Sequence, residues 1–574
     1  MNSSLYQYIN KLAATATSQE EVFGLLFSQI GYHPDRPIKV ILRLPAAYEF
    51  EQGSCHLVGE QSDTAYEQNW VKWGNVWGAQ WWIATFKGVA EGNYHVEHRL
   101  GAEVMIRDGR CTVKKDILWD DTYNYCSVDM LQRRFHFTGL QMGWQDAGTK
   151  WAESPAQSSM LMGLLNMYLN GGELYDEQFK KSLEEQIIVG ANYMVATADY
   201  AAAKGYATGS FVHDLLENKK VVLPNDASKA VLSLIQTYQA LPDYAEKKNL
   251  KSYILKGWEY LRSTTSPQFG FSTVQRGIDA DILPPEGEWP TRELFNFVAI
   301  IVEGDKNKLI SKQGVSTYLK QLRDRQLKAE NAVQGIYGVF KEFDTTDHLE
   351  SMWVHSILDH VYGVDSGGLI PPRILDLLQI VNGDFSEEDK QLAEDIIHDF
   401  AYGFLIPAAR QNPFSLLPNT VKLNGDCVWF AGPFHGMNSI YGYLAETCFA
   451  LSKHYQEDEF EQIAYGNLQW IAGLNSGLTQ EAQDVGCVVC STDQPKNTAI
   501  PVGMICGIGN RTFGTWFQSR GVITSGFSVG APFVLDVMAT KKNDRPQSFT
   551  DEEWIPHSAG WLHGTMKLKQ LSNS

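Results

Sequence analysis

The spacing of apolar residues changes once along the chain, and this change limits the folds that the chain can adopt. Between residues 23 and 112, short segments alternate apolar and polar residues, for example at 39–44, 81–87 and 94–98. The connections between them contain Gly, Pro, Asp and Asn. Short alternating segments at regular spacing are typical of strands, so we predict a small β-sandwich here.

From about residue 157 onward, apolar residues recur at every third and fourth position instead, which predicts amphipathic helices. The predicted helices cover residues 160–168, 183–196, 230–240, 253–262, 294–302, 352–360, 392–404, 440–451 and 460–471. A last helix is expected after Glu552. An α-solenoid would show an internal repeat, and none is visible, so we favour an (α/α)6 toroid with an open cleft.

The predicted organisation is therefore multidomain. Residues 1–22 form an N-terminal extension, residues 23–112 a β-sandwich, and residues 113–574 an all-α (α/α)6 barrel that carries the site. Two long connections, residues 412–437 and 475–526, are rich in Gly and Pro. Long loops of this kind inside a helical domain usually carry function.

Composition excludes several classes of function. The chain has 48 Lys and Arg against 67 Asp and Glu, a net charge of −19, which disfavours nucleic acid and anionic lipid as partners. No apolar run is long enough to span a bilayer, and the first residues lack the basic start and apolar core of a signal peptide. We therefore expect a cytoplasmic protein, or a secreted or periplasmic one if a leader was removed. The eight cysteines are expected to be mostly reduced and buried.

Two short segments contain carboxylates that could perform chemistry. Glycoside hydrolysis needs two carboxyl groups on opposite sides of the scissile bond. Asp146 lies in the segment 143–149, between an aromatic residue and a Gly-containing turn. Glu552 lies in the acidic segment 543–555, before the predicted last helix. Taken singly, each carboxylate could equally cap a helix or a turn.

Taken together, the two segments resemble the catalytic segments of glycoside hydrolase family 9, which contains many cellulases. That family carries GW-x-DAGD early and DR-x-x-x-x-TNE-x-x-I late in the chain. Asp544, Arg545, Thr550, Glu552 and Ile555 fall on the second pattern without a gap, although the Asn before the Glu is replaced. Residues 467–475, 526–532 and 291–305 are similar to further family segments. Residues 27–34 are similar to the opening of the immunoglobulin-like module that precedes many members.

The resemblance implies an immunoglobulin-like sandwich followed by the (α/α)6 barrel, and it implies an inverting mechanism with Glu552 as general acid. In the family, the last Asp of DAGD is the general base, but this chain has Thr149 there. A hydroxyl group cannot act as a base near neutral pH. Asp146 is therefore our candidate base, with Glu153 as a weaker alternative. The resemblance requires no cofactor and allows a structural calcium ion, although we find no complete set of metal ligands.

Further residues are candidates for substrate binding. Arg520 takes the place of the Arg that grips the sugar in the family, and Trp144 could stack on a sugar ring or pack in the core. The complete set of substrate-binding candidates is Trp144, Thr149, Trp429, His435, Trp516 and Arg520.

Three functions remain open at the level of sequence. The first is a glycosidase that acts on β-linked gluco-oligosaccharides or a related glycan. The second is an inactive carbohydrate-binding protein on a glycosidase scaffold, because the base position is Thr149. The third is an (α/α)6 phosphorylase or lyase that acts on an acidic glycan. All three predict an oligosaccharide or polysaccharide partner and leave the oligomeric state open.

Overall fold

Strands between Gly24 and Val113 form two antiparallel sheets in the computed structural model of the chain. The structure describes residues 24–76, 79–146, 152–216, 222–264, 288–341, 344, 352–353, 370–418, 420–422, 427–428, 437–475, 504–505, 520–524 and 554–573. The strands are β1 (Gly24–Leu26), β2 (Ile38–Pro45), β3 (Ser54–Gly59), β4 (Ala65–Asn69), β5 (Val71–Val76), β6 (Ala79–Phe86), β7 (Gly92–Leu100) and β8 (Glu103–Val113). The three predicted strands lie within β2, β6 and β7, which confirms them.

The order of the strands is that of an immunoglobulin-like sandwich. One sheet has the order β1-β2-β6-β5 and the other β4-β3-β7-β8. If the strands are lettered A, B, C, C′, D, E, F and G, these orders read A-B-E-D and C′-C-F-G. This is the immunoglobulin arrangement with one strand added beside strand C. The predicted sandwich at the start of the chain is confirmed.

The central strand β2 is buried along most of its length, because the first sheet is covered on both faces. Val40, Ile41 and Leu42 are all fully buried. On the outer face, Trp81 of the paired strand β6 lies edge-on to Phe414, with ring centroids 5.2 Å apart. Burial on both faces explains why the alternation predicted for residues 39–44 is interrupted by three successive apolar residues, 40–42.

The rest of the described chain is mainly helical, and its longer helices fall into two layers. They are α1 (Met130–Thr138), α2 (Ser154–Asn170), α3 (Glu177–Ala203), α4 (Pro224–Ala240), α5 (Leu250–Ser263), α6 (Thr291–Lys306), α7 (Val315–Arg325), α8 (Ile370–Asn382), α9 (Glu387–His398), α10 (Asn438–Tyr455), α11 (Asp458–Ile471) and α12 (Ile555–Ser572). All of the predicted helices except residues 352–360 are confirmed, the segment 392–404 continuing past α9 as a π-helical stretch, Asp399–Leu405.

The even-numbered helices form a closed ring. Within the described part of the chain, α2, α4, α6, α8, α10 and α12 each contact the next in this order, and α12 contacts α2. The odd-numbered helices pack outside the ring, with α3 on α2, α5 on α4, α7 on α6, α9 on α8 and α11 on α10. A π-helical stretch, Tyr125–Asp129, runs into α1 and contacts α12. The predicted (α/α)6 barrel is confirmed.

Inner helices run parallel, so their N-termini meet at one end of the barrel. In the α2–α12 pair, Gly163 lies against Ala559, and further along Asn170 accepts a hydrogen bond from Gln570 at 2.7 Å. Five of the six described inner helices carry a proline at or next to their start, namely Pro155, Pro224, Pro290, Pro371 and Pro556. Proline is favoured there because its fixed φ suits the first helical turn and its missing N–H is not needed.

The backbones of α10 and α12 approach each other at glycines. A Cβ atom at Gly442 would lie 2.3 Å from the carbonyl carbon of Gly560, and one at Gly560 would lie 2.5 Å from the carbonyl oxygen of Ser439. Neither position can therefore hold a larger residue unless a helix backbone moves. This close contact allows the last inner helix to fit between α10 and α2.

The prediction of a helix at residues 352–360 is wrong at its start. Met352 and Trp353 form strand β9, which pairs with β10 (Thr420–Lys422), and β10 also pairs with β11 (Cys427–Val428). A pairing partner about 70 residues away decides this structure, and local periodicity cannot register it. Residues 354–360 lie outside the described residues, as does the extension 1–22. The proposed division of the chain at residues 22 and 112 stays a prediction.

Two further expectations concern the state of the cysteines and the absence of a membrane-spanning segment. Among the described cysteines, Cys55, Cys111, Cys126 and Cys448 are buried thiols, as predicted. The CxxC pair at residues 487–490 lies outside the described residues. Among the described helices, none combines the length and apolarity needed to cross a membrane.

We predict that Gly560→Ala destabilises the fold. Alanine normally stabilises a helix by about 0.5–1 kcal/mol relative to glycine. Here the added methyl group meets the backbone of α10, so we expect the free energy of unfolding to fall by about 1–3 kcal/mol. Urea unfolding followed by circular dichroism measures this loss. Gly109→Ala is the control, because a Cβ atom there meets no other atom within 4 Å. An unchanged or raised stability of Gly560→Ala would contradict the described helix contact.

Candidate active site

The two segments predicted to carry catalytic carboxylates meet at the N-terminal end of the inner ring. The backbone N–H of Ile555, the first residue of α12, donates a hydrogen bond to the carbonyl oxygen of Asp146 at 3.0 Å. Asp146 and Ile555 are more than 400 positions apart in the sequence, so only the closure of the ring brings them together. Glu552 lies three positions before Ile555 and outside the described residues.

Helices α1 and α2 hold the Asp146 segment from both sides. The guanidinium of Arg134 in α1 donates to the carbonyl of Gln145 at 3.0 Å. The side-chain amide of Gln157 in α2 bonds both main-chain groups of Trp144, accepting at 2.9 Å and donating at 2.8 Å. These hydrogen bonds fix the main chain of Trp144 and Gln145, the two residues before Asp146.

The Asp146 carboxylate itself is fully buried. Its Oδ2 accepts a hydrogen bond from the backbone N–H of Glu153 at 2.7 Å. Glu153 directly precedes α2 and has an extended backbone, with φ −65° and ψ 131°. Asp146 therefore fixes the start of α2 through its side chain and the start of α12 through its carbonyl group.

A buried ion-pair chain extends from Glu153 across the starts of α2 and α4. Nε2 of His213 lies 3.5 Å from Oε1 of Glu153, and Nδ1 of His213 lies 2.8 Å from Oδ2 of Asp226. Burial opposes a charge on the imidazole, but the carboxylates of Asp226 and Glu153 outweigh it and raise the pKa of His213 to about 10. His213 is therefore a cation at neutral pH, held between two carboxylates.

Main-chain hydrogen bonds fix the segment that carries His213. The backbone N–H of Ser154 donates to the carbonyl of His213 at 2.7 Å, and its hydroxyl donates to the carbonyl of Val212 at 2.7 Å. The next residue, Asp214, accepts from the N–H groups of Leu216 at 2.7 Å and Ala152 at 3.1 Å. Burial raises the pKa of Asp214, although these two hydrogen bonds act against it.

A second buried polar group lies where α4 meets α6. Ser228 donates to Oε2 of Glu293 at 2.5 Å, and the amide of Asn296 donates to the same oxygen at 3.1 Å. All three residues are fully buried. Sequence reasoning missed this group and the chain of Glu153, His213 and Asp226, because both are built across different helices. The sequence had pointed only to single members, to Glu153 as an alternative base and to Glu293 within the segment 291–305.

The structure describes two of the predicted substrate-binding residues. Trp144 is fully buried, its indole N–H donates to Gln186 at 2.9 Å, and its ring lies against Gly190 of α3. This is the core-packing position that the sequence left open. Arg520 is exposed, and its guanidinium lies over the ring of Tyr125 at 4.8 Å, with a hydrogen bond of 3.1 Å to the hydroxyl.

The other predicted site residues lie outside the described residues, namely Thr149, Trp429, His435, Trp516 and Glu552. Their roles stay predictions. Within the described ranges, no group of three His, Cys, Asp or Glu side chains is arranged to hold a metal ion. The expectation of a structural calcium ion stays untested.

Comparison with known proteins finds similarity in structure only. No protein-family model matches the chain, and no curated protein matches its sequence significantly. A family 76 glycoside hydrolase from a bovine Bacteroides thetaiotaomicron strain is 10% identical with a TM-score of 0.42, over 96% of this chain and 99% of that chain. A C. cellulolyticium cellulase solved with cellobiose is 12% identical with a TM-score of 0.41, over 75% and 88% of the two chains.

A sugar epimerase from a ruminal bacterium is also similar, with 12% identity and a TM-score of 0.43, over 78% of this chain and 97% of that chain. The similar structures thus belong to enzymes that catalyse different reactions. At these identities and TM-scores, the likeness defines neither the reaction nor the substrate of this chain.

We predict that the ion pairs of His213 stabilise the fold more at low pH than at high pH. An unfolded histidine has a pKa of about 6.5, below the folded value of about 10. The stabilisation is therefore complete below pH 6.5 and is lost as the pH rises through 10. His213→Gln should cost about 3–5 kcal/mol at pH 6, and this cost should shrink steadily towards pH 10.

Urea unfolding of both proteins at several pH values measures the difference. His136→Gln is the matched control, because His136 is exposed on α1, and its effect should be small at every pH. A cost of His213→Gln that grows with pH would show that the folded imidazole is neutral.

Proposed function

We propose that this protein is an inverting glycoside hydrolase that acts on β-linked gluco-oligosaccharides or a related glycan. Glu552 is the general acid, and a carboxylate from the segment 146–153 is the general base. The observation that carries the proposal is the hydrogen bond of 3.0 Å between the N–H of Ile555 and the carbonyl of Asp146. It joins the two segments that resemble the catalytic segments of family 9, at the end of the barrel where all inner helices begin.

The chemistry of this end of the barrel supports the proposal. Inverting hydrolysis needs one carboxylic acid that protonates the leaving oxygen and one carboxylate that takes a proton from water. The described residues already supply several carboxylates there, among them Asp146, Glu153, Asp214 and Asp226, and a histidine cation beside two of them. The positive ends of the inner helix dipoles favour such ionised carboxylates.

We predict that Glu552→Gln abolishes most of the hydrolysis. The amide cannot donate the proton that the leaving oxygen needs, so the rate should fall by about 10²–10⁴-fold. Release of reducing sugar is measured on a panel of β-glucans, gluco-oligosaccharides and glycans that contain uronic acid, with and without phosphate. Glu553→Gln is the matched control, because it removes the adjacent carboxylate, and it should stay within tenfold of the unmodified protein.

The same panel separates the alternatives. Glycan binding without any release of sugar would contradict the proposal and support an inactive carbohydrate-binding protein. Cleavage that depends on phosphate would identify a phosphorylase. Products with a double bond in the sugar ring would identify a lyase.

A further inference from the structure

We propose that Glu153, and not Asp146, is the general base of this site, and that His213 and Asp226 position it. The inference rests on the proposed glycosidase function and names the residue that takes over from the base that Thr149 replaces. It follows from a comparison of the surroundings of the two carboxylates, which lie seven residues apart in the sequence.

Asp146 is closed off from a substrate. The residue is 0% exposed, and its Oδ2 already accepts the N–H of Glu153 at 2.7 Å. Its carbonyl oxygen accepts the N–H of Ile555. A general base must come within hydrogen-bond reach of the attacking water. Asp146 instead serves as the joint between the starts of α2 and α12, and we describe it as a positioning residue.

Glu153 is held at the same place and is also buried, but a small part of its side chain reaches solvent. Its side chain is 11% exposed, whereas Asp146 is completely covered. The N–H bond to Asp146 fixes its backbone, and the ion pair with His213 fixes its carboxylate. It stands directly before α2, at the end of the barrel where the Glu552 segment joins α12. A backbone and a carboxylate fixed in this way satisfy the need for a pre-oriented base.

His213 keeps the Glu153 carboxylate ionised and oriented. The imidazole is buried, its Nδ1 donates to Asp226 of α4, and its Nε2 faces the carboxylate of Glu153. Its neighbour Asp214 is a further charged group that acts on it. A cation beside a carboxylate favours the charged form of that carboxylate, and only the charged form can accept a proton from water.

The reaction then balances as follows. A water oxygen attacks the anomeric carbon of the sugar while one of its protons moves to the Glu153 carboxylate. The bond between the anomeric carbon and the leaving oxygen breaks, and that oxygen takes the proton of Glu552. Two products result, one with an inverted anomeric hydroxyl group. Exchange with solvent afterwards returns the proton from Glu153 to water and supplies a new proton to Glu552.

Azide rescue tests which carboxylate is the base. An enzyme that lacks its base cannot activate water, but azide is already an anion and attacks without one. The substrate is 2,4-dinitrophenyl β-cellobioside, whose leaving group needs no acid. Glu153→Gln should lose about 10²–10⁴-fold in activity, and azide should restore it with an α-glycosyl azide as the product. Asp146→Asn should gain nothing from azide.

The results of this test are decisive in both directions. Rescue of Glu153→Gln alone supports the proposal. Rescue of Asp146→Asn alone, or full activity of Glu153→Gln, overturns it. Glu153→Asp provides a second test where Gln disturbs folding, because it keeps the carboxylate and should keep a measurable part of the activity without azide. Circular dichroism and urea unfolding confirm that each variant is folded.

The positioning role of His213 has its own readout. Without the cation, the pKa of the base should rise, so the acidic limb of the kcat/KM profile of His213→Asn should move up by about 1–3 pH units. His213→Asn alone leaves the buried carboxylate of Asp226 without its cation. The double variant His213→Asn with Asp226→Asn removes this carboxylate and should show the same shift of the acidic limb. A lower rate with the acidic limb of the kcat/KM profile at its original pH would mean that His213 has only a structural role.

Failure of the proposed function looks different from failure of this inference. If the unmodified protein cleaves neither the dinitrophenyl glycoside nor any glycan of the panel, the glycosidase proposal falls. If it cleaves them and Glu552→Gln loses glycan hydrolysis while Glu153→Gln does not, the glycosidase stands and Glu153 is not its base.

Discussion

The barrel depends on a single closure, the packing of α12 against α2 and α10. The two ends of the helical part are about 400 residues apart, and they meet where Gly163 of α2 lies against Ala559 of α12. On its other side, α12 meets α10 where Gly560 lies against Gly442. Small residues at these points allow the helix backbones to touch, so the last helix fits into the gap left by the other five described inner helices. The link between the two candidate catalytic segments follows from this closure, since it places the start of α12 beside Asp146.

Much of the fold could be predicted from the sequence, because local patterns determine most of its elements. The apolar spacing in α3, α4 and α11 reflects one buried face, and the alternation in β6 and β7 reflects a half-buried sheet. The helices α1, α7 and α8 were missed, although α7 and α8 carry apolar residues at helical spacing. The strand β9 was mistaken for a helix because Met352 and Trp353 acquire their structure from a distant strand.

The candidate site could be predicted only in outline. Two short motifs located Asp146, and the structure brings its carbonyl to the start of α12, near the Glu552 segment in the sequence. The contact of the Asp146 carboxylate with Glu153 could not be predicted, because it depends on where the fold places the residue directly before α2. The ion pairs of His213 were also beyond prediction. They join His213 to Asp226, which is 13 positions later, and to Glu153, which lies in a distant part of the sequence, and no local pattern predicts these contacts.

Direct contacts hold the sandwich, which is about the first 90 described residues, against the helical barrel. The N–H of Gln29 donates to the carbonyl of Ala472 at 2.8 Å, and the side-chain amide of Gln469 donates to the carbonyl of Gly31 at 3.1 Å. The loop before β2 thus supplies the partner that the C-terminal end of α11 needs. Phe414 and Trp470 also bury their rings beneath Trp81 and its sheet. A barrel separated from the sandwich would expose this aromatic surface to water and leave a helix end uncapped, so each part stabilises the other.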